Sequence, residues 1–325
     1  MKLGKDVMTH IAIIAVILII LIVSVVKLIK WNQGSPDAGT TITDETFDTE
    51  PEDYITAVDN AALEGRPDDG ITSIVFLGDD VLSNYQGADG IPQQVAYLMA
   101  SNPETAKTQV YNIGFPGMYQ STASVYWDEA HSEDAFSLYW LTKSITLQDY
   151  TLLHNTVDTV SAGNPQFAQT LQTLEGIDFD KVDVITLMYG VNDYLNGRLV
   201  TDIADDSNIA SYSGALNASI KLLKEAFPHI RIIVMSPTYC EVTQDGKTTG
   251  CDVTDTGHGT LADYMVAAKT IAVDTNVTYL DNFYGVDINA NTAEQYLEDT
   301  VHPNAEGRKL IAQRLAKLLT KERQN

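Results

Sequence analysis

The chain of 325 residues carries 44 acidic against 20 basic side chains, a formal net charge of −24. So acidic a surface repels phosphate backbones and argues against nucleic-acid partners. An apolar content of 44% is enough for one domain of roughly 250 residues with a full core, once the N-terminal segment is set aside. No internal repeat stands out.

Met8 to Ile29 is almost wholly apolar. About 20 helical residues span the hydrocarbon core of a bilayer, and Lys27 can snorkel to its edge, so residues 1–31 read as a membrane anchor with one transmembrane helix. A cleaved signal peptide competes poorly: the run exceeds the roughly 7 to 15 residues of an h-region, and no small-x-small site follows Trp31. Lys2 and Lys5 balance Lys27 and Lys30, so flanking charge does not orient the span. Residues 32–69 are polar and acidic, including Asp44-Glu45-Thr46-Phe47-Asp48. That composition cannot bury enough surface to fold alone and predicts a flexible stalk, with a short helix near Tyr54 to Leu63.

From residue 70 to 325 strands alternate with amphipathic helices. Ile71–Leu77, Thr108–Ile113, Val182–Met188, Ile230–Met235 and Val277–Leu280 are short, apolar and largely β-branched, as strands covered on both faces of a parallel sheet should be. Leu216, Ile220, Leu223 and Phe227 share one helical face, as do Ile311, Leu315 and Leu318 behind an Asn304 cap. The expected architecture is a three-layer α/β/α sandwich on a parallel five-stranded, flavodoxin-like sheet, with ligands at the carboxyl ends of the strands. Between Gly117 and Gly190 lie 72 residues. This insert, about 118–178, holds Tyr126, Trp127, Tyr139, Trp140 and Tyr150, with helical runs near Ala135–Val157 and Asn164–Leu174. It reads either as a helical lid whose aromatics stack on sugar rings or as an extra helical layer with its own aromatic core.

Cys240 and Cys251 flank Asp245-Gly246, a strong two-residue hairpin signal that sets them opposite each other. A Cα separation of about 5.5 Å there permits a disulfide, and a disulfide implies an oxidising compartment outside the cytoplasm. Two free thiols are the alternative; two ligands do not make a metal site.

Four segments carry the chemistry: Gly78-Asp79-Asp80 after the first strand, Asn112 to Gly117, Gly190-Val191-Asn192-Asp193, and Asp299-Thr300-Val301-His302-Pro303 before the last helix. In this order they resemble the SGNH (GDSL-type) esterases and lipases over about Thr72 to Leu319. The resemblance implies that the Asn192 amide and the Gly117 N–H are oxyanion donors. It makes His302 the general base and Asp299 the carboxylate that fixes its tautomer and orientation. The family has serine at position 80, whereas this chain has Asp80. A carboxylate attacking an ester would form a high-energy anhydride, and beside His302 it would form an ion pair that occupies the base. Ser83 lies about one helical turn away, and catalytic geometry tolerates such displacement poorly.

Three readings follow. Asp80 and His302 together activate water, or Asp80 attacks a carbon centre whose displacement gives an ester rather than an anhydride; the pocket binds a ligand without turnover; or Ser83 or another local hydroxyl serves as nucleophile. The resemblance implies an acylated, typically acetylated, carbohydrate of the cell envelope or surroundings, with lipid acyl chains as runner-up. No metal-ligand cluster, phosphate loop or dinucleotide fingerprint is present, and His10, His131, His154, His229 and His258 lack metal-site spacing, so no cofactor is expected.

Overall fold

The computed structural model describes residues 50–57, 63, 69–103, 105 and 107–322. Five strands, β1 (Thr72–Gly78), β2 (Thr108–Gly114), β3 (Val184–Met188), β4 (Arg231–Met235) and β7 (Thr278–Leu280), form one sheet in the order β2-β1-β3-β4-β7. All pairings in it are parallel. These are the five strands expected from the sequence. Every residue of β1 is buried, and Ile74 to Leu77 are fully excluded from solvent, because helices cover both faces of the sheet.

The helix Ile91–Met99 packs against the C-terminal helix Ala305–Glu322. The helix Tyr212–Ala226 packs between Leu138–Leu147 and Leu261–Asp274. Leu216, Ile220, Leu223 and Phe227 are buried as their spacing predicts, and so are Ile311 and Leu315. Asn304 caps the last helix by accepting from the amides of Glu306 and Gly307, each at 3.1 Å. β1 lies between β2 and β3, so the chain leaves it in one direction and returns past it in the other. The carboxyl ends of β1 and β3 therefore flank the crevice where doubly wound sheets hold ligands.

The insert forms the helices Leu138–Leu147, Thr151–Val160 and Pro165–Glu175, preceded by a 3₁₀ segment, Glu129–Phe136. The single run expected over Ala135–Val157 is interrupted at Gln148, in the left-handed region at φ 51°. Phe136 and Phe167 pack on Phe115, with ring centroids 4.8 and 5.7 Å away. Pro165–Glu175 lies along β2, and Trp140 packs edge-on against Tyr139 with Lys143 above it. This packing supports the extra helical layer rather than an aromatic lid.

Two expectations need revision. Residues 50–57, assigned to the stalk, lie on the domain: Tyr54 pairs antiparallel with Tyr279, and Asp53 takes two hydrogen bonds from Arg314 at 2.6 and 2.9 Å. β7 is an edge strand whose free backbone groups accept such a partner, which composition alone does not reveal. The disulfide is also not formed. The hairpin β5 (Glu241–Gln244) and β6 (Lys247–Gly250) has the expected turn, with Asp245 and Gly246 both at positive φ. Cys240 and Cys251 do stand opposite each other, but both are buried free thiols. The Cys240 amide donates to Cys251 Sγ at 3.2 Å, and hydrogen bonding to Cys251 together with burial pushes the Cys240 thiol well above its usual range. Hydrogen bonds and burial hold the pair without a covalent link. The expected anchor, and the stalk up to residue 49, lie outside the described residues. Among the described residues no helix is long and apolar enough to cross a membrane.

Candidate functional site

At the end of β1 the chain turns sharply into the short helix Asp80–Ser83. Asp79 caps it, its carboxylate accepting from the Val81 amide at 3.1 Å. Asn112, at the end of β2, holds the helix from below by donating to the Leu82 carbonyl at 2.9 Å. Gly114 permits this approach: a Cβ there would stand 2.7 Å from the Ser83 backbone nitrogen. Asp80 is thereby presented at the surface of the crevice with 19% side-chain exposure. Ser83 points inward and is fully buried, and among the described residues its hydroxyl has no partner. It cannot meet an external ester, which removes the reading that made it the nucleophile.

Asn192 lies in the first turn of Val191–Leu195, directly after β3. Its amide nitrogen donates to Asp80 Oδ1 at 2.8 Å and to the Met118 carbonyl at 3.0 Å. Met118 follows Gly117, which sits at φ +69° in a turn closed by the Met118 amide on the Phe115 carbonyl at 3.4 Å. Glycine adopts that backbone region at little cost.

On the far side, Asp299 and His302 come from the loop before the last helix. Asp299 Oδ1 accepts from the amides of Val301 and His302, both at 2.7 Å, and Oδ2 meets His302 Nδ1 at 2.7 Å. With Nδ1 so held, Nε2 faces Asp80 Oδ2 at 3.3 Å. The structure thus brings Asp80, Asn192, Asp299 and His302 together, with Gly117 one residue from the carbonyl that Asn192 touches.

A family model described as GDSL-like Lipase/Acylhydrolase matches residues 76–310, a span that contains all five of these positions. The chain belongs to the GDSL-like lipase/acylhydrolase family. Among solved structures, one crystal structure is 18% identical at a TM-score of 0.53, the match covering 78% of this chain and 97% of that one. A structure described as a possible lipase from Chitinophaga pinensis is 15% identical at 0.48, covering 77% and 98% of the two chains. The carbohydrate acetylesterase Est24 from Sinorhizobium meliloti is 12% identical at 0.45, covering 77% and 99%. At 18% identity the first of these shows likeness of fold alone. No curated protein matches the chain.

Electrostatics separate this GDSL-like site into a working rim and a fixed floor. The hydrogen bond to Asp80 raises the His302 pKa from 6.5 to about 9, against the opposing effect of burial and with further help from Asp299. His302 is therefore an imidazolium at neutral pH, clamped between two carboxylates. Burial works against the charged form of Asp299, but the bonds from the His302 backbone and ring and from the Val301 amide outweigh it and hold its carboxyl below the usual range.

Two groups that form the floor were not singled out from the sequence. Asp193, fully buried beside Asn192, accepts from the Gln120 amide (2.8 Å), the Ser121 amide (2.9 Å) and the Ser121 hydroxyl (2.6 Å). Asp134 likewise holds the amides of Ala123 and Ser124. Together they fix the loop that follows Gly117. Burial pushes both carboxyls up. Asp193 was legible only as the last letter of the Gly190–Asp193 segment, since its partners lie about seventy positions away.

Proposed function

We propose that Asp80 stands in the place of the family's nucleophilic serine. On this reading the protein binds a small acylated ligand, an acetylated carbohydrate by preference, without serine-type turnover. The observation that carries this is the double engagement of Asp80: one oxygen takes the Asn192 amide and the other faces His302 Nε2. In acyl transfer that amide would stabilise an oxyanion and that imidazole would take a proton. Here the amide faces a carboxylate, and the imidazole already carries its proton at neutral pH. A carboxylate offers about four acceptor positions. Asp80 uses two, which leaves capacity for ligand hydroxyls such as those of a sugar.

The test is ester hydrolysis on a panel of acetylated sugars and small aryl esters. The native chain should show no turnover that depends on His302. Asp80→Ser should create turnover, and adding His302→Ala should abolish it. A second reading, hydrolysis by water activated between Asp80 and His302, is favoured by the intact Asp299–His302 bond at 2.7 Å. Native hydrolysis lost in His302→Ala would establish that reading and refute simple binding.

We further infer from the apolar run Met8–Ile29 that the domain is tethered to a membrane through residues 1–31, and we propose that it faces outside the cytoplasm, where an acylated carbohydrate of the cell envelope would be met. With the cysteines unbonded, the sidedness no longer draws support from a disulfide. Protease accessibility in intact cells tests it: protection of the C-terminal domain would reverse the orientation.

A further inference from the structure

Arg308 occupies the first turn of the helix Ala305–Glu322, where a cation opposes the helix dipole, and its side chain is only 3% exposed. Neither helix electrostatics nor solvation accounts for a guanidinium there. Its contacts do. Nη1 donates to the Pro303 carbonyl at 2.7 Å and lies 3.5 Å from Glu298. Nε donates to the Asp89 carbonyl at 2.9 Å, and Nη2 to the Asp89 carboxylate at 2.5 Å. The guanidinium also stacks on the Tyr85 ring, 3.4 Å from its centroid, and the Tyr85 hydroxyl donates to Glu298.

These partners belong to two segments. Tyr85 and Asp89 follow the helix that presents Asp80. Glu298 and Pro303 bracket the loop that presents Asp299 and His302, a loop closed by the Glu298 amide on the His302 carbonyl at 2.9 Å.

We propose that Arg308 is a positioning residue. By bridging the two segments it sets the separation of His302 Nε2 and Asp80 Oδ2, and through it the charge state of the imidazole. The inference rests on the Asp80–His302 ion pair of the preceding subsection. A planar fork stacked on an aromatic ring can make these contacts at once, and a lysine ammonium cannot.

The experiment is an NMR titration of His302 in the full-length, ¹⁵N-histidine-labelled chain in detergent, with circular dichroism to verify folding. Arg308→Lys keeps the charge and loses the fork. It should lower the His302 midpoint from about 9 by roughly one unit or more as the pair separates. Tyr85→Phe removes only the hydroxyl to Glu298 and should lower the midpoint by less. Arg308→Gln adds a sign test: lost positioning lowers the midpoint, whereas loss of a nearby cation alone raises it. A folded Arg308→Lys with an unchanged midpoint, or a rise in Arg308→Gln, overturns the proposal. If Arg308→Lys does not fold, Tyr85→Phe decides, a lowered midpoint supporting the role and an unchanged one refuting it. A native midpoint near 6.5 would instead refute the ion-pair reading itself.

Discussion

The ends of β1 and β3 each carry an aspartate beside the same crevice, and the two are built for opposite purposes. Asp193, after β3, is sealed from solvent and bonded to two backbone amides and a serine hydroxyl of the loop after Gly117. Asp80, after β1, keeps contact with solvent, and both its oxygens meet side chains, Asn192 and His302. Burial alone raises the pKa of a group that holds a scaffold together, so a perturbed pKa does not by itself mark a functional residue. What distinguishes Asp80 is exposure joined to partners that can be withdrawn.

Substitution should widen that contrast. Asp193→Ala leaves three donors without their acceptor in a buried site and should cost about 3 kcal/mol of stability, read as a lower urea midpoint. An Asp193→Ala protein as stable as the native one would erase the distinction. At the rim, the stabilising effect is tied to pH. The folded pKa of His302, about 9, lies above its usual 6.5, so the folded chain binds more protons in between. This stabilisation is fully present below pH 6.5 and is lost as pH rises through 9. After allowance for solvent screening it amounts to about 2 kcal/mol. Denaturation at pH 6 and pH 9.5 should show that loss in the native chain and much less of it in His302→Gln; equal losses would place the titrating group elsewhere. The smallest effect belongs to Ser83→Ala. The hydroxyl is buried without a partner among the described residues, so stability should change by less than about 0.5 kcal/mol and any hydrolytic rate should be unaffected. A lost rate would restore Ser83 as a nucleophile.

Much of the fold was legible because a doubly covered parallel strand announces itself as a short β-branched run, and all five strands were read that way. The four motif segments were legible for a related reason: each lies at a strand end or before the last helix, where glycine, proline and asparagine set the turn. The roles of Asp134, Asp193 and Arg308 were not legible. Their partners are mostly main-chain atoms or residues distant in sequence, and no spacing rule encodes a carboxylate that holds the amides of a remote loop. The docking of Tyr54 on Tyr279 was hidden similarly, since an acidic stretch gives no sign that an edge strand awaits it. The cysteines show the reverse limit: hairpin register placed them opposite each other correctly, but register does not determine oxidation.

The central claim is that Asp80 holds His302 as an imidazolium, and the His302 titration in the native chain and in Asp80→Ser tests it most directly. The expected native midpoint is about 9, falling by roughly a unit or more when the carboxylate is replaced. A native midpoint near 6.5, or one unmoved by Asp80→Ser, would contradict it.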